Sequence, residues 1–174
     1  MKSIVAALLA LLLFPSLAAA DSLTGGFSGE TPVARAPVAK AALAPGSRTA
    51  VAAAGAPPEV VRAIAAANAI TRKPYKWGGG HGRWRDSGYD CSGTVSYVLY
   101  KAGLLAAPRD STGFMSYGKR GKGRWITTYA HGGHAYMIIA GLRLDTSGRG
   151  EDGPRWRPEW RGGSGFVKRH PAGL

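Results

Sequence analysis

Cysteine is almost absent from this chain of 174 residues, in which only Cys91 carries a thiol. No disulfide can form within one molecule, which excludes the class of small domains that disulfides hold together. The single thiol is then an inert buried side chain, one half of an intermolecular bridge, or a nucleophile. Because lone cysteines are most often buried and inert, a functional role has to be argued from neighbouring residues.

Acidic residues are also scarce, with 10 Asp and Glu against 23 Lys and Arg and a formal net charge of +13. Such an excess favours polyanionic partners, which include nucleic acid, anionic lipid surfaces and the anionic polymers of a cell wall. It is equally consistent with a charge that only keeps the protein soluble. Charge alone therefore does not identify a partner.

The apolar run near the start of the chain is too short to span a bilayer. It begins at Ile4 and stops before Pro15, which is fewer than the ~20 residues that a membrane-spanning helix needs. With Lys2 before it and three alanines at 18–20, residues 1–20 are typical of a secretory signal peptide. We expect a secreted or cell-envelope protein (periplasm or cell wall) without stable membrane insertion after cleavage. Export makes nucleic acid the least favoured polyanion, and we predict no nucleic-acid partner.

Residues 21–56 contain a single aromatic residue, Phe27, and are dominated by Ala, Gly, Pro, Ser and Thr. This composition buries too little apolar area to offset the entropy lost on ordering. We therefore predict a flexible linker over 21–56. Residues 57–174 remain as one predicted domain.

Order is predicted to begin at Pro57 and Pro58, because proline suits the first turn of a helix. Apolar side chains follow at helical spacing on one face, and the helix should end before Pro74. These apolar residues are Val60, Val61, Ile64, Ala67 and Ile70. A glycine-rich loop with aromatic residues, 75–88, then leads to the cysteine.

A second helical pattern starts at Cys91. Asp90 is of a residue type that caps helix N-termini, and Gly103 suits the left-handed residue that follows a helix. Apolar residues recur between them at Val95, Val98, Leu99 and Ala102. On the first turn of this helix, the unsatisfied backbone N–H groups and the helix dipole would favour a thiolate and could stabilise an oxyanion.

Beyond a polar loop with a basic cluster, the pattern changes to strands. Residues 124–130, 134–147 and 165–170 are rich in aromatic and β-branched types, and 134–147 is interpreted as two short strands joined at Ala140-Gly141. We predict a loop for 148–164. Helices followed by an antiparallel sheet indicate an α+β fold in which the cysteine-bearing helix packs on the sheet.

A nucleophilic thiol needs a base, and four histidines compete for that role. His134 is favoured, because it opens an apolar strand directly after two glycines and its ring could project from the strand end into a cleft. His131, in the loop just before, is the runner-up. His81 lies in the glycine-rich loop without a rigid element beneath it, and His170 lies near the exposed chain end.

The group that orients the histidine depends on the register of one hairpin. If Ala140-Gly141 is a two-residue loop, His134 and Asp145 share one face of the sheet as diagonal neighbours. Asp145 could then hold the imidazole in one tautomer, as the third residue of a triad does. A three-residue loop would turn Asp145 to the other face, and a role for Asp145 as the cap of the following turn stays open.

The motifs resemble those of the NlpC/P60 cysteine peptidases of cell walls, over roughly residues 57–170. The matching stretches are Tyr75-Lys76-Trp77-Gly78-Gly79, Asp90-Cys91-Ser92-Gly93 and the later His134. The resemblance implies a papain-like core in which Cys91 attacks, His134 is the base and Asp145 takes the third position. It also implies that Tyr75 positions substrate or oxyanion, that Asp90 and Ser92 meet the free amino end of a stem peptide, and that Trp77 lies at the substrate site.

The activity implied by this resemblance is hydrolysis of peptidoglycan stem peptides or muropeptides, at the bond between D-Glu and the diamino acid, through an acyl-enzyme and without a cofactor. The chain departs from the family around the histidine, where it has Lys-Gly-Arg-Trp-Ile before and Ala-Tyr-Met after. These departures bear on the pocket and the bond cleaved more than on Cys91 and His134. A non-catalytic basic wall-binding protein and a thiol amidase or acyltransferase on the same fold stay open. A zinc site is disfavoured, because one cysteine without closely spaced histidines is a weak ligand set.

Overall fold

The computed structural model describes residues 39–148, 152–158 and 161–174. The predicted signal peptide and residues 21–38 of the predicted linker lie outside the described residues. The helices are α1 (Pro58–Ile70), α2 (Cys91–Lys101) and α3 (Ser111–Phe114). The strands are β1 (Ala42–Leu43), β2 (Ala50–Val51), β3 (Lys119–Arg120), β4 (Ile126–His131), β5 (His134–Ile139), β6 (Leu142–Asp145), β7 (Arg155–Arg157) and β8 (Val167–His170).

The fold is α+β, as predicted, with a six-stranded antiparallel sheet in the order β3-β8-β4-β5-β6-β7. Helix α2 packs between α1 and β5. Alternation along β5 sends Ala135, Met137 and Ile139 into the core shared with the helices. Tyr136 lies on the opposite face of the sheet, where its ring stacks on that of Tyr129 with the centroids 4.7 Å apart. None of the described helices combines the length and the apolar character needed to cross a membrane.

Helix α2 has the ends that its sequence predicts. Asp90 is the N-cap, and its Oδ1 accepts a hydrogen bond of 2.6 Å from the backbone N–H of Gly93. Gly103 has a φ of 80° after the last turn, and the N–H of Leu104 reaches back 2.8 Å to the carbonyl of Leu99. Both ends are thus fixed, so the position of Cys91 on the first turn is defined.

The hairpin of β5 and β6 turns through two residues, as predicted. Ala140 and Gly141 have φ values of 47° and 85°, the left-handed pair that a two-residue hairpin turn needs. Ile139 pairs with Leu142, and Met137 pairs with Leu144. The predicted register is therefore confirmed, and it places Asp145 on the same face as His134.

Order begins upstream of Pro57, which the composition did not predict. Strands β1 and β2 form a hairpin whose Ala50 is held at both its backbone groups by the Asn68 side chain of α1, at 2.8 and 2.9 Å. The N–H of Ala41 donates to the carbonyl of Ala140 at 2.9 Å. Residues 39–56 are therefore structured against the domain rather than a flexible linker, because their backbone groups find hydrogen-bond partners in α1 and at Ala140.

Two segments predicted as loop contain short elements. Strand β7 lies within 148–164 and pairs with β6, with Trp156 opposite Leu144. In the polar loop, Asp110 caps the single turn α3 by accepting from the Gly113 N–H at 2.6 Å. Both elements are short and flanked by charged or small residues, so neither gives a periodic sequence signal.

Candidate active site

Cys91 is the first residue of α2 and is half-buried in a cleft of ≈ 410 Å³. The cleft is formed by the glycine-rich loop, the first turn of α2, the start of α3 and the turn between β4 and β5. Six of the seven residues predicted for the site line it: Tyr75, Trp77, Asp90, Cys91, Ser92 and His134. A second cleft of ≈ 390 Å³ shares Tyr75 and His134 with the first and extends to Ser147 and Asp152.

His134 forms hydrogen bonds with both Cys91 and Asp145. Its Nε2 lies 2.9 Å from Oδ1 of Asp145. Because an ionised carboxylate only accepts hydrogen bonds, Nε2 carries a proton, and Nδ1 is the ring nitrogen left for the thiol. His134 therefore links the thiol to the carboxylate through its two nitrogens.

The carboxylate of Asp145 is buried and well supplied with donors. Its Oδ1 accepts from the backbone N–H of Ser147 at 2.9 Å and from the Ser147 hydroxyl at 3.1 Å, in addition to His134. Its Oδ2 accepts from Nη1 of Arg161 at 3.0 Å. The bond to the Ser147 N–H is also the turn cap that the sequence left open. Asp145 therefore both bonds His134 and caps the turn.

The three side chains have shifted protonation equilibria. Burial opposes ionisation of Cys91, but hydrogen bonds from His134 and the Ala135 N–H hold the pKa of the thiol below its ordinary value. Burial lowers the pKa of His134, but its hydrogen bonds to Asp145 and Cys91 outweigh this and raise the pKa to about 9. Burial also raises the pKa of Asp145, and His134, the Ser147 N–H and Arg161 together hold it below its usual range. These directions favour a thiolate beside an imidazolium near neutral pH.

A second cluster is formed by the two residues that flank Cys91 in sequence and by His81. Nε2 of His81 is 3.1 Å from Oδ1 of Asp90 and 3.2 Å from Oγ of Ser92. Oδ2 of Asp90 accepts from the N–H of Gly78 at 3.0 Å. His81, for which the sequence suggested no rigid support, is thus held by the first turn of α2.

The glycine-rich loop approaches α2 so closely that side chains are excluded at the crossing. A Cβ on Gly93 would collide with the carbonyl oxygen of Gly79, and one on Gly79 with that of Gly88. The N–H of Asp90 donates to the same Gly79 carbonyl at 3.2 Å. These glycines therefore allow the loop to bring Tyr75 and Trp77 to the thiol.

Tyr75 and Trp77 present different surfaces to the cleft. The pKa of Tyr75 is raised by burial and by the neighbouring negative charges of Cys91 and Asp90, so its hydroxyl remains a hydrogen-bond donor. Trp77 is 87% exposed at the rim. Most Trp side chains are largely buried, so its exposure at this rim leaves an apolar face open to a ligand.

Two of the other candidate bases, His131 and His170, do not line the cleft. His131 is the last residue of β4 rather than part of the loop, and its ring packs on Phe166 with the centroids 4.5 Å apart. His170 is half-buried in β8, with Nδ1 3.2 Å from the carbonyl of Gly121, rather than exposed at the chain end. Sequence reasoning missed Arg161, which lies in the segment predicted as loop and carries no motif.

Two further observations concern groups and cavities outside this cleft. Within the described ranges, no group of three or more His, Cys, Asp or Glu side chains is arranged to hold a metal ion. A separate cavity of ≈ 220 Å³ is lined by residues that include Arg48, Trp156 and Arg157 and contains none of the predicted site residues.

No protein-family model and no curated protein sequence matches the chain. Among solved structures, the chain is similar to the P60 domain of antigen MAP1204 from M. avium subspecies paratuberculosis, with a TM-score of 0.49 and 24% identity over 64% of this chain and 93% of that one. It is also similar to Rv1477, a hypothetical invasion protein of Mycobacterium tuberculosis, with a TM-score of 0.48 and 20% identity over 77% of this chain and 69% of that one.

Proposed function

We propose that the protein is a secreted cysteine peptidase of the NlpC/P60 type, with a papain-like core, that hydrolyses peptide bonds in peptidoglycan stem peptides. The observation that carries the proposal is the arrangement of Cys91, His134 and Asp145. The thiol lies at a helix N-terminus, the imidazole bonds it through one nitrogen, and a buried carboxylate bonds the other nitrogen at 2.9 Å. This is the geometry that an activated thiol nucleophile requires.

In the first step, the Cys91 thiolate adds to the carbonyl carbon of the scissile bond, and the carbonyl oxygen becomes an oxyanion. The Gly93 and Thr94 N–H groups of the first turn of α2 already bond Asp90, so the N–H groups of Cys91 and Ser92 and the Tyr75 hydroxyl are the candidate donors to that oxyanion. His134 then gives its Nδ1 proton to the leaving amine as the carbon–nitrogen bond breaks. A thioester to Cys91 and a free amine result.

In the second step, water replaces the thiol. His134, now neutral at Nδ1, takes a proton from a water molecule that adds to the thioester carbonyl. The carbon–sulfur bond breaks, the carboxylic acid product leaves, and the His134 proton again faces the Cys91 thiolate. Asp145 remains ionised throughout and stabilises the imidazolium, because its pKa is held low.

Substrate recognition is proposed for the residues around Asp90. The carboxylate of Asp90, with Ser92 beside it, would accept the free amino group of a stem peptide, and Tyr75 would position the carbonyl. The exposed ring of Trp77 would pack on the substrate at the rim. We propose the bond between D-Glu and the diamino acid, which places the leaving amine in the second cleft beyond His134.

The test is digestion of purified muropeptides by the mature protein and by Cys91→Ala, with the products identified by mass spectrometry. Wild type should release products that Cys91→Ala does not release. Identical products from both proteins, or none from wild type, would contradict the peptidase proposal. Transfer of the acyl group to an added amine instead of water would indicate a transpeptidase, and cleavage of the amide to the sugar would indicate an amidase. Wall binding by both proteins without any cleavage would indicate a non-catalytic wall-binding protein.

We also propose export and attachment to anionic wall polymers. Lys119, Arg120 and Lys122 are exposed at the β3 edge of the sheet, and the sequence from 111 to 144 contains no acidic residue. These three exposed cations would attract a phosphate-rich polymer. Replacing the three residues by Gln should weaken binding to polyphosphate resin and reduce its salt dependence, whereas Arg72→Gln with Lys73→Gln and Lys101→Gln should not. Equal weakening by both triple variants would contradict the assignment of this edge.

Amino-terminal sequencing of protein from the culture medium tests export and cleavage after Ala20.

A further inference from the structure

Asp145 binds a different cation at each carboxylate oxygen. Oδ1 faces Nε2 of His134 at 2.9 Å, and Oδ2 faces Nη1 of Arg161 at 3.0 Å. The Asp145 side chain is fully buried, so water does not reach the carboxylate, although a third of the Arg161 side chain is exposed. Nε of Arg143 is more distant from Oδ2, at 3.7 Å.

Arg161 is itself held in place by aromatic rings. Its Cζ lies 5.4 Å from the ring centroids of both Tyr136 and Phe166, within the range of cation–π attraction. Its Nη1 also bonds the hydroxyl of Ser147, which in turn donates to Asp145. The guanidinium is therefore fixed on two sides, by the rings and by the polar groups of the β6 end.

Without Arg161, Oδ1 of Asp145 would keep His134 and Ser147 as partners, but Oδ2 would lose its nearest donor. The carboxylate could then rotate more freely, and less of its charge would be offset at the His134 proton. With Oδ2 fixed by Arg161, Oδ1 has one orientation toward Nε2. The positive charge of Arg161 also offsets the pull of Asp145 on that proton.

We propose that Arg161 is a positioning residue for the reaction, which rests on the proposed function: it fixes Asp145 against His134 and moderates how strongly His134 holds its protons. Arg161 does not touch the thiol or the cleft and acts only through Asp145 and Ser147. Without its charge, the imidazolium should persist to higher pH and protonate the leaving amine more slowly. Lysine at this position keeps the positive charge, so His134 should lose its proton at the wild-type pH. Lysine lacks the second guanidinium nitrogen, so it should fix the orientation of the Asp145 carboxylate only in part.

The experiment measures the rate at which iodoacetamide alkylates Cys91 as a function of pH, in wild type, Arg161→Gln and Arg161→Lys. Arg169→Gln is the matched control, because Arg169 donates to the carbonyls of Tyr117 and Ser116 at 2.8 and 2.9 Å and contacts no site residue. The upper transition of the profile reports deprotonation of His134. It should move up by about half a pH unit or more in Arg161→Gln, and return to the wild-type position in Arg161→Lys.

The proposal is overturned if the upper transitions of wild type and Arg161→Gln coincide. It is also overturned if the transition of Arg161→Lys, or that of Arg169→Gln, is displaced as far as that of Arg161→Gln. If Arg161→Gln does not fold, Arg161→Met keeps an unbranched stem against the two rings and supplies the uncharged comparison. Alkylation needs no peptidoglycan, so the result is independent of the proposed substrate. A displaced transition in a protein that cleaves no muropeptide would uphold the Arg161 assignment and refute the peptidase. If wild type does cleave, kcat should fall roughly tenfold in Arg161→Gln with little change in KM.

Discussion

Nε2 of His134 lies 2.9 Å from Oδ1 of Asp145 across the β5–β6 hairpin, and this contact exists only because the hairpin turns through two residues. One residue more in the turn would reverse the faces of β6 relative to β5. The site therefore depends on the left-handed backbone at Ala140 and Gly141, which lie at the opposite end of the strands.

Gly141→Val should destabilise the fold and weaken the site. At a φ of 85° a β-branched residue is strained, and a Cβ would meet the Lys40 side chain at 3.2 Å. We expect a loss of about 1–3 kcal/mol in the free energy of unfolding, measured by urea denaturation. Ala140→Gly is the matched control and should be neutral or stabilising, because its φ of 47° suits glycine. An unchanged midpoint for Gly141→Val would show that the turn tolerates other conformations.

The pH dependence of kcat/KM should be bell-shaped. The proposed mechanism requires the thiolate of Cys91 and the imidazolium of His134 together. On the acid side it should fall as the thiol gains a proton, at a pH below the ordinary value for cysteine, because its pKa is lowered. On the alkaline side it should fall through a pH of about 9, as His134 loses its proton. An alkaline limb near the ordinary histidine value of 6.5 would contradict the paired site.

Asp145→Asn separates the hydrogen bond from the charge. The amide oxygen can still accept from Nε2 of His134, but the negative charge is gone, so the pKa of His134 should fall from about 9 toward its ordinary value. The upper transition of the alkylation profile should therefore move to lower pH, opposite in direction to Arg161→Gln. Glu59→Gln removes a carboxylate from the start of α1 and serves as the control. Equal profiles for Asp145→Asn and wild type would remove Asp145 from the site.

Asp90→Asn tests recognition of the amino group. Asparagine is as good an N-cap as aspartate, so α2 should keep its first turn, but its amide nitrogen cannot accept from the Gly78 N–H. Loss of the negative charge should raise KM for a stem peptide with a free amino end and leave KM unchanged for the same peptide acetylated there. If KM rises equally for both peptides, Asp90 acts on the structure of the loop and not on the amine. Asp90→Ala should in addition cost about 0.5–2 kcal/mol of stability, because the 2.6 Å bond to the Gly93 N–H is lost.

Trp77→Ala should raise KM without lowering stability, because the ring is 87% exposed and packs on nothing within its own loop that would be lost. Trp84→Ala is the matched comparison from the same loop. Trp84 stacks on Tyr100 of α2 with the centroids 4.0 Å apart, so its loss should lower the thermal midpoint instead. A fall in the thermal midpoint of Trp77→Ala with KM unchanged would assign that ring to the fold.

The elements that surround the thiol could be predicted because each has a local cause. Asp90 and Gly103 mark the two ends of α2, and the small turn at Ala140-Gly141 sets the register that brings Asp145 to His134. These signals lie within a few residues of the structure that they specify. The sequence was therefore informative wherever backbone geometry is decided by neighbours along the chain.

The parts that the sequence did not predict depend on distant partners. The β1–β2 hairpin is stabilised by hydrogen bonds from Asn68, which the alanine-rich composition of the segment does not predict. Arg161 reaches Asp145 from a segment without periodicity, and His81 acquires support only once the loop folds onto Asp90 and Ser92. In each case a polar side chain bonds a group 9 to 18 residues away with no regular hairpin or helix to set the pairing, so a local pattern does not predict the contact.

Asp90 caps α2, anchors the glycine-rich loop through the Gly78 N–H, and forms part of the wall of the cleft. Substitutions at this position are therefore pleiotropic, since a change in what the cleft recognises also alters how the nucleophile's helix begins. His81 and Ser92 can be changed more freely in a redesign of the substrate range, because they bond the Asp90 carboxylate but neither is the N-cap of α2. The proposed recognition of the amine and the start of α2 thus depend on the same carboxyl group, and changes of specificity are least costly to the fold at the neighbours of that group.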